Sequence, residues 1–329
     1  MRKRFSPKGI FNQMSQMSKF RTIIVVATVV VSAWNVHAQT NFKKVGTTGY
    51  VFLEIPVTAR TAGMGEASLT LDDGAEAVLT NPGLLGEMQS DHSLGVSYAQ
   101  WFASTQHQSF AYAYHAGDAG VFGLNVVRLD YGTMTWTANG RNQGTYDILG
   151  TFTADAVAYG ASFARQMTDK FSFGMTVKYV QERIASYKST NALFDGGMVY
   201  NTGFHTLRIG GVVRNFGVDA KYLEGLFKMP TEFRLGASMD VFGDETSMNR
   251  ITAAVEAVHP SDNNERVNAG IEYWFDNVIA LRAGRKWNYD EEKWTAGAGL
   301  RWYKLMFDAA YADYGRLGAV VRLTLGMNI

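Results

Sequence analysis

The chain has 329 residues, a formal net charge of +1, 34 glycines, 5 prolines, 13% aromatic residues and no cysteine. The absence of cysteine excludes a disulfide framework and any zinc site built on thiolates. The near-zero charge leaves no field that would direct the chain to nucleic acid.

At the N-terminus, Lys19 and Arg21 precede an apolar run from Ile23 to Trp34, which ends at Val36-His37-Ala38. A basic segment, a short apolar segment and small residues before Gln39 are the parts of a secretory signal peptide, with cleavage expected after Ala38. The run is too short for a bilayer-spanning helix, which needs ~20 apolar residues. The expected organisation is a signal peptide over 1–38, an N-terminal extension over 39–91 and a barrel over 92–329.

Residues 50–91 do not alternate as a strand would. Gly63 and Gly65 bracket Met64 and permit tight backbone turns. Asp72-Asp73-Gly74 reads as a turn or cap. Ala75 to Leu79 reads as a short helix, and Asn81-Pro82 as the start of another, with Pro82 suited to the first helical position.

From His92 onward the chain alternates apolar with polar or small residues. Val321, Leu323, Leu325 and Met327 point one way, and Arg322, Thr324, Gly326 and Asn328 the other. Phe233, Leu235, Ala237 and Met239 oppose Glu232, Arg234, Gly236, Ser238 and Asp240. Period two means strand. About fourteen such segments fit the ~9–11 residues of a tilted membrane-crossing strand. The predicted fold is therefore all-β: a transmembrane antiparallel barrel of about fourteen strands, closed so that no backbone edge meets lipid. The longest loops are predicted at 131–150 and 216–230, on the extracellular side. Aromatic clusters near segment ends are expected to form interfacial girdles: Tyr98, Trp101 and Phe102; Tyr131 and Trp136; Tyr273, Trp274 and Phe275; Trp302 and Tyr303.

Two strings carry a resemblance: F-L-E-I-P-V-T-A-R-T-A-G-M-G-E-A from Phe52, and L-D-D-G-A-E-A-V-L-T-N-P-G-L-L from Leu71. They resemble the N-terminal signature of the PorV/PorQ family, within the wider group of FadL-like fourteen-stranded barrels. The family pattern N-P-A-G-L stands here as Asn81-Pro82-Gly83-Leu84-Leu85, a mild departure. The resemblance implies that the segment is a plug, or hatch, in the barrel's periplasmic mouth. Arg60, Gly63, Met64, Gly65, Asp72, Asp73, Asn81 and Pro82 are its marker residues. Arg60, Asp72 and Asp73 would contact the lumen wall, or else only stabilise turns.

No catalytic constellation stands out. The six histidines have no metal spacing, and there is no nucleophile elbow or phosphate loop. No metal and no cofactor is expected. By the alternation, Lys178, Arg208, Arg214, Arg234, Arg282, Arg301 and Arg322 face the lumen, as do Glu232, Asp240 and Glu272. They form either a cargo-contacting surface or, the blander reading, the wet, salt-bridged interior of a wide barrel.

The expected place is the Gram-negative outer membrane, with lipid around the barrel and no nucleic acid. The resemblance implies a non-enzymatic component or accessory of type IX protein secretion. Its partners would be a secretion translocon and secreted proteins with C-terminal signal domains. The alternative is a FadL-like channel for hydrophobic small molecules, against which the many inward arginines count.

Overall fold

The computed structural model describes residues 45–71, 74–140, 144–222, 224–244 and 246–329. The expected signal peptide, Gln39, Asp72 and Asp73 lie outside the described residues. Among the described residues, fourteen strands close into one antiparallel barrel. They are β1 (His92–Gln100), β2 (Gln106–His115), β3 (Val121–Asn139), β4 (Tyr146–Gln166), β5 (Phe171–Ile184), β6 (Tyr187–Asn201) and β7 (Arg208–Gly217), then β10 (Glu232–Phe242), β11 (Arg250–Pro260), β12 (Arg266–Phe275), β13 (Ile279–Trp287), β14 (Trp294–Trp302), β15 (Leu305–Asp313) and β16 (Ala319–Asn328). Between β7 and β10 stands a separate two-stranded hairpin, β8 (Ala220–Tyr222) and β9 (Gly225–Phe227).

The alternation sets the register. At the closing seam β1 pairs with β16, placing Ser97 opposite Thr324 inside and Tyr98 opposite Leu323 outside. Leu235, Leu281, Leu300, Leu323 and Phe307 are exposed on the outer face. In water this apolar belt would be a liability, but in lipid it is the required surface. No described helix is long and apolar enough to cross a membrane. Both strand termini, His92 and Asn328, lie at one end, called here the terminal end; the opposite one is the loop end. Outer-membrane barrels keep short turns in the periplasm and longer loops outside, and by that rule the loop end is the expected extracellular side.

Two expectations change. Residues 131–139 and 146–150 are strand and not loop: β3 and β4 continue as a ribbon past the rim. β2 stops pairing with β3 at Asp130, and β5 stops pairing with β4 at Ala154, yet pairs such as Met134–Phe152 continue. Threonine-rich stretches with aromatic residues favour a pleated chain even beside Gly132 and Gly140.

The aromatic girdles are also redistributed. Phe275, Trp302 and Tyr303 are exposed at the terminal end, and Tyr98 faces outward near the loop end. Trp274, however, is buried, and Trp101, Phe102 and Tyr131 pack against interior clusters. Parity explains Trp274, which stands two residues from inward Glu272 on one strand.

Candidate functional site

The segment before β1 fills the lumen along its length. At the loop end, the Thr48 hydroxyl donates to Asp262 (2.7 Å), the Gly49 N–H to the Lys228 carbonyl (3.0 Å) and the Tyr50 hydroxyl to Ser189 (2.7 Å). Deeper, the Thr58 hydroxyl accepts from the Thr61 N–H and caps a short helix, Ala59–Gly63. The Ala59 N–H donates to Thr324 (2.8 Å), and the Arg60 guanidinium forks onto both Glu272 oxygens (3.1 and 2.8 Å). The Thr70 hydroxyl donates to Ser238 (2.6 Å). Toward the terminal end, Asn81 accepts from the Gly83 N–H and caps the helix Pro82–Leu85, while its amide donates to the Leu69 and Met198 carbonyls. Glu87 then pairs with Arg208 at the rim. The implied plug at the periplasmic mouth is thus corrected: the segment runs from one mouth to the other.

Close approach explains two glycine pairs. Gly65 has φ +63°, and a Cβ there would lie 3.1 Å from Gly284 Cα. A Cβ on Gly63 would lie 3.1 Å from Gly297 Cα. The Gly63-Met64-Gly65 turn therefore seats its backbone directly on the wall, where only glycine faces glycine.

The lumen wall has two unlike halves. The half from β10 to β16 is ionic. Arg234 lies 2.9 Å from Glu232, 3.1 Å from Glu256 and 3.5 Å from plug Glu66. Lys286 holds Glu66 (2.6 Å) and also pairs with Glu292. Arg282 reaches Glu272 (2.6 Å) and pairs with Asp308. Plug residues Arg60 and Glu66 complete this network. Burial works to raise the Glu66 pKa, but Lys286 and then Arg234 outweigh it and hold the carboxyl well below the usual carboxylate range. At Glu54 the balance reverses. Burial, then Glu232 and Asp262, push its pKa up to about 8, although Arg266 stands 3.6 Å away.

The half from β2 to β6 is mostly apolar. Ala111, Val127, Leu129, Ala158, Val180 and Leu193 are buried against plug residues Phe52, Leu53, Val57, Val78 and Leu85. This seam extends from Tyr50 and Met229 at the loop end to Met88 and Ala164 at the terminal end. One buried ion pair is set into it, Lys178–Asp195 at 2.5 Å, beside a register shift between β6 and β7. Two small cavities adjoin at Val57, Leu79 and Arg214. One lies on the apolar side, against Phe52, Val127 and Ala158, and the other on the ionic side, against Glu66, Arg234 and Glu256. Each has room for little more than a water molecule.

The remaining residues singled out in the sequence are placed as follows. Arg214 lies 3.9 Å from Glu232, and Asp240 accepts from Thr252 (2.6 Å) and lies 3.9 Å from Arg250. Arg301 stacks over the Trp274 ring at 4.7 Å, and Arg322 over Trp101 at 5.7 Å. Many of these charges are buried and paired, and plug residues such as Arg60 and Glu66 supply part of the pairing. The sequence reading missed Glu66, Glu256, Lys286 and Asp308. Parity with Arg282 would have found Lys286, and parity with Arg250 would have found Glu256. Nothing in the local sequence marks Glu66.

No family model matches the sequence, and no curated protein matches it. Solved structures do share the fold. The toluene transporter TbuX of Ralstonia pickettii superposes with a TM-score of 0.60 at 14% identity, covering 83% of this chain and 98% of that one. The toluene transporter TodX of Pseudomonas putida gives 0.56 at 12% identity, covering 87% and 98%. The chain thus shares the closed fourteen-stranded barrel fold of these two outer-membrane proteins.

Proposed function

We propose that this chain is a plugged outer-membrane channel for small apolar molecules, and that its route is the seam between the plug and strands β2 to β6. One observation carries the reading. In a barrel with the fold of two toluene transporters, one buried apolar cluster reaches from loop end to terminal end, with the Lys178–Asp195 pair set among its residues. Most of the inward arginines, which counted against a greasy path, stand on the opposite half, while Arg214 and the paired Lys178 border the seam cavity. An apolar solute gains about 25 cal/mol for each Å² it removes from water, and this seam supplies that surface. The ionic half anchors the plug while the apolar half, held by non-directional contacts, yields to a solute. The β6–β7 register shift offers a lateral exit into lipid. In this reading the protein has no catalytic role and reaches the outer membrane through a cleaved signal peptide.

A second reading rests on the strings from Phe52 and Leu71. Their likeness to PorV/PorQ proteins supports an accessory role in type IX secretion, with a translocon and secreted proteins bearing C-terminal signal domains as partners.

The test is toluene flux into vesicles carrying the purified protein. Flux above that of empty vesicles is expected, and Ala158→Trp, which fills the seam cavity, should abolish it while the barrel still assembles. If wild-type flux equals that of empty vesicles, and loss of the chain in cells blocks protein secretion, the channel reading gives way to the second.

A further inference from the structure

Arg322 is an inward cation without a counter-ion. Among the described residues, Arg60, Lys178, Arg208, Arg214, Arg234, Arg282 and Lys286 all lie on carboxylates. Arg322 has no such partner. It is 1% exposed, and its Nε and Nη2 make no hydrogen bond. Asp308 stands two residues from Ala310, the β15 residue paired with Arg322, but is committed to Arg282.

A second unpartnered group faces the same place. Ala99 pairs with Arg322 on one side and with His107 on the other. His107 is 2% exposed, and its Nε2 also lacks a partner. The methyl of Ala99 between them leaves two unsatisfied polar side chains at one level of the lumen. Beneath them lies the plug helix, whose Ala59 N–H binds Thr324 two residues further along β16. Three packed rings lie toward the loop end: Trp101 and Phe102 from the β1–β2 turn, and Tyr314 from the β15–β16 turn, at centroid distances of 4.7 to 5.2 Å. Trp101 gives the guanidinium partial relief through its ring face. A buried charge left otherwise unpaired is costly, and an anion on it removes the cost.

We infer that Arg322 and His107 form a receptor for a small aromatic carboxylate admitted at the loop end. The guanidinium fork matches a carboxylate's two oxygens. The imidazole of His107 can supply one further hydrogen bond through its unpartnered Nε2. The ring cluster takes the apolar body of the ligand, since aromatic rings pack favourably edge to face. The site lies beside the seam, on β16, β1 and β2, and goes beyond the channel reading by adding a charged class of ligand; it rests on that reading only in that the loop end admits small molecules.

The experiment uses the purified full-length barrel in detergent, with benzoate as probe, toluene as its uncharged counterpart and chloride as a competing small anion. Benzoate should quench tryptophan fluorescence saturably and raise the melting temperature. Arg322→Gln should weaken binding at least tenfold, and His107→Gln severalfold. Heat-dependent gel mobility confirms that each variant is a folded barrel. If Arg322→Gln does not assemble, wild-type competition decides: toluene, lacking the carboxylate, should displace benzoate only at a concentration at least tenfold higher, and displacement at equal concentration would overturn the inference. Absence of saturable benzoate binding, unchanged affinity in Arg322→Gln, or displacement by chloride at equal affinity would each overturn the inference. Toluene flux without benzoate binding defeats this inference alone. Benzoate binding without flux defeats the channel reading and leaves the receptor standing.

Discussion

Glu272 accepts from Arg60 of the plug and from Arg282 of its neighbouring strand, and is itself fully buried. Breaking a buried pair by removing one partner is costly because the other charge stays behind. Glu272→Ala should therefore destabilise the protein by about 3–5 kcal/mol, the range for an uncompensated buried charge. Limited proteolysis should find the plug cleaved faster while the barrel band persists. Equal protease resistance in the variant would show that Arg60 does not anchor the plug through Glu272. Leu235 and Ser238 illustrate the same dependence on surroundings. An arginine at Leu235 would face lipid; one at Ser238 would displace the plug from its Thr70 bond rather than enter water.

The β3–β4 ribbon and the plug are the elements that set the ends of the molecule. Trp136, Tyr146, Ile148 and Leu149 are exposed on the ribbon, which carries strand pairing beyond the rim. An isolated two-stranded ribbon is marginal in water, so its inner end owes its order to the barrel below. The plug enters at the loop end, where Val45 is exposed and Thr48 bridges to Lys228. Epitope tags at Asn139, at Glu224 and before Val45 should all be reachable on intact cells. A tag at Asp118, in a terminal-end turn, should not be. Labelling of Asp118 with protection of the other three would invert the orientation.

For the molecule as a whole, closure and plugging are separate devices. Closure satisfies the backbone of every strand by its neighbours, which lipid requires. Plugging fills a lumen that the wall of a barrel wider than ~8 strands cannot fill alone. Deleting Arg60 to Leu85 should therefore leave a barrel that inserts but conducts ions in planar bilayers. It should also melt at a lower temperature than the intact chain, because Glu272, Arg234 and Lys286 lose plug partners. A deleted barrel with unchanged conductance would mean that other chain segments seal the lumen.

Alternation alone determined the barrel. Because side chains leave a strand on opposite faces, a string such as Phe233 to Val241 carries its own lipid and lumen sets, and fourteen such strings close without further information. Arg234, Arg282 and Glu272 face the lumen on the same ground. The tertiary structure decided what those side chains meet. Glu66 and Arg60 find partners more than 200 residues away in the chain, a distance over which no local pattern operates. The division into an ionic and an apolar half likewise depends on which strands become neighbours around the ring. The plug's reach to the loop end rests on contacts of Thr48 and Tyr50 with distant loops and strand ends, and Arg322 is left without a counter-ion because its neighbours' carboxylates are already paired. Each of these is a property of packing in three dimensions, where burial and distance, not sequence period, set the energy.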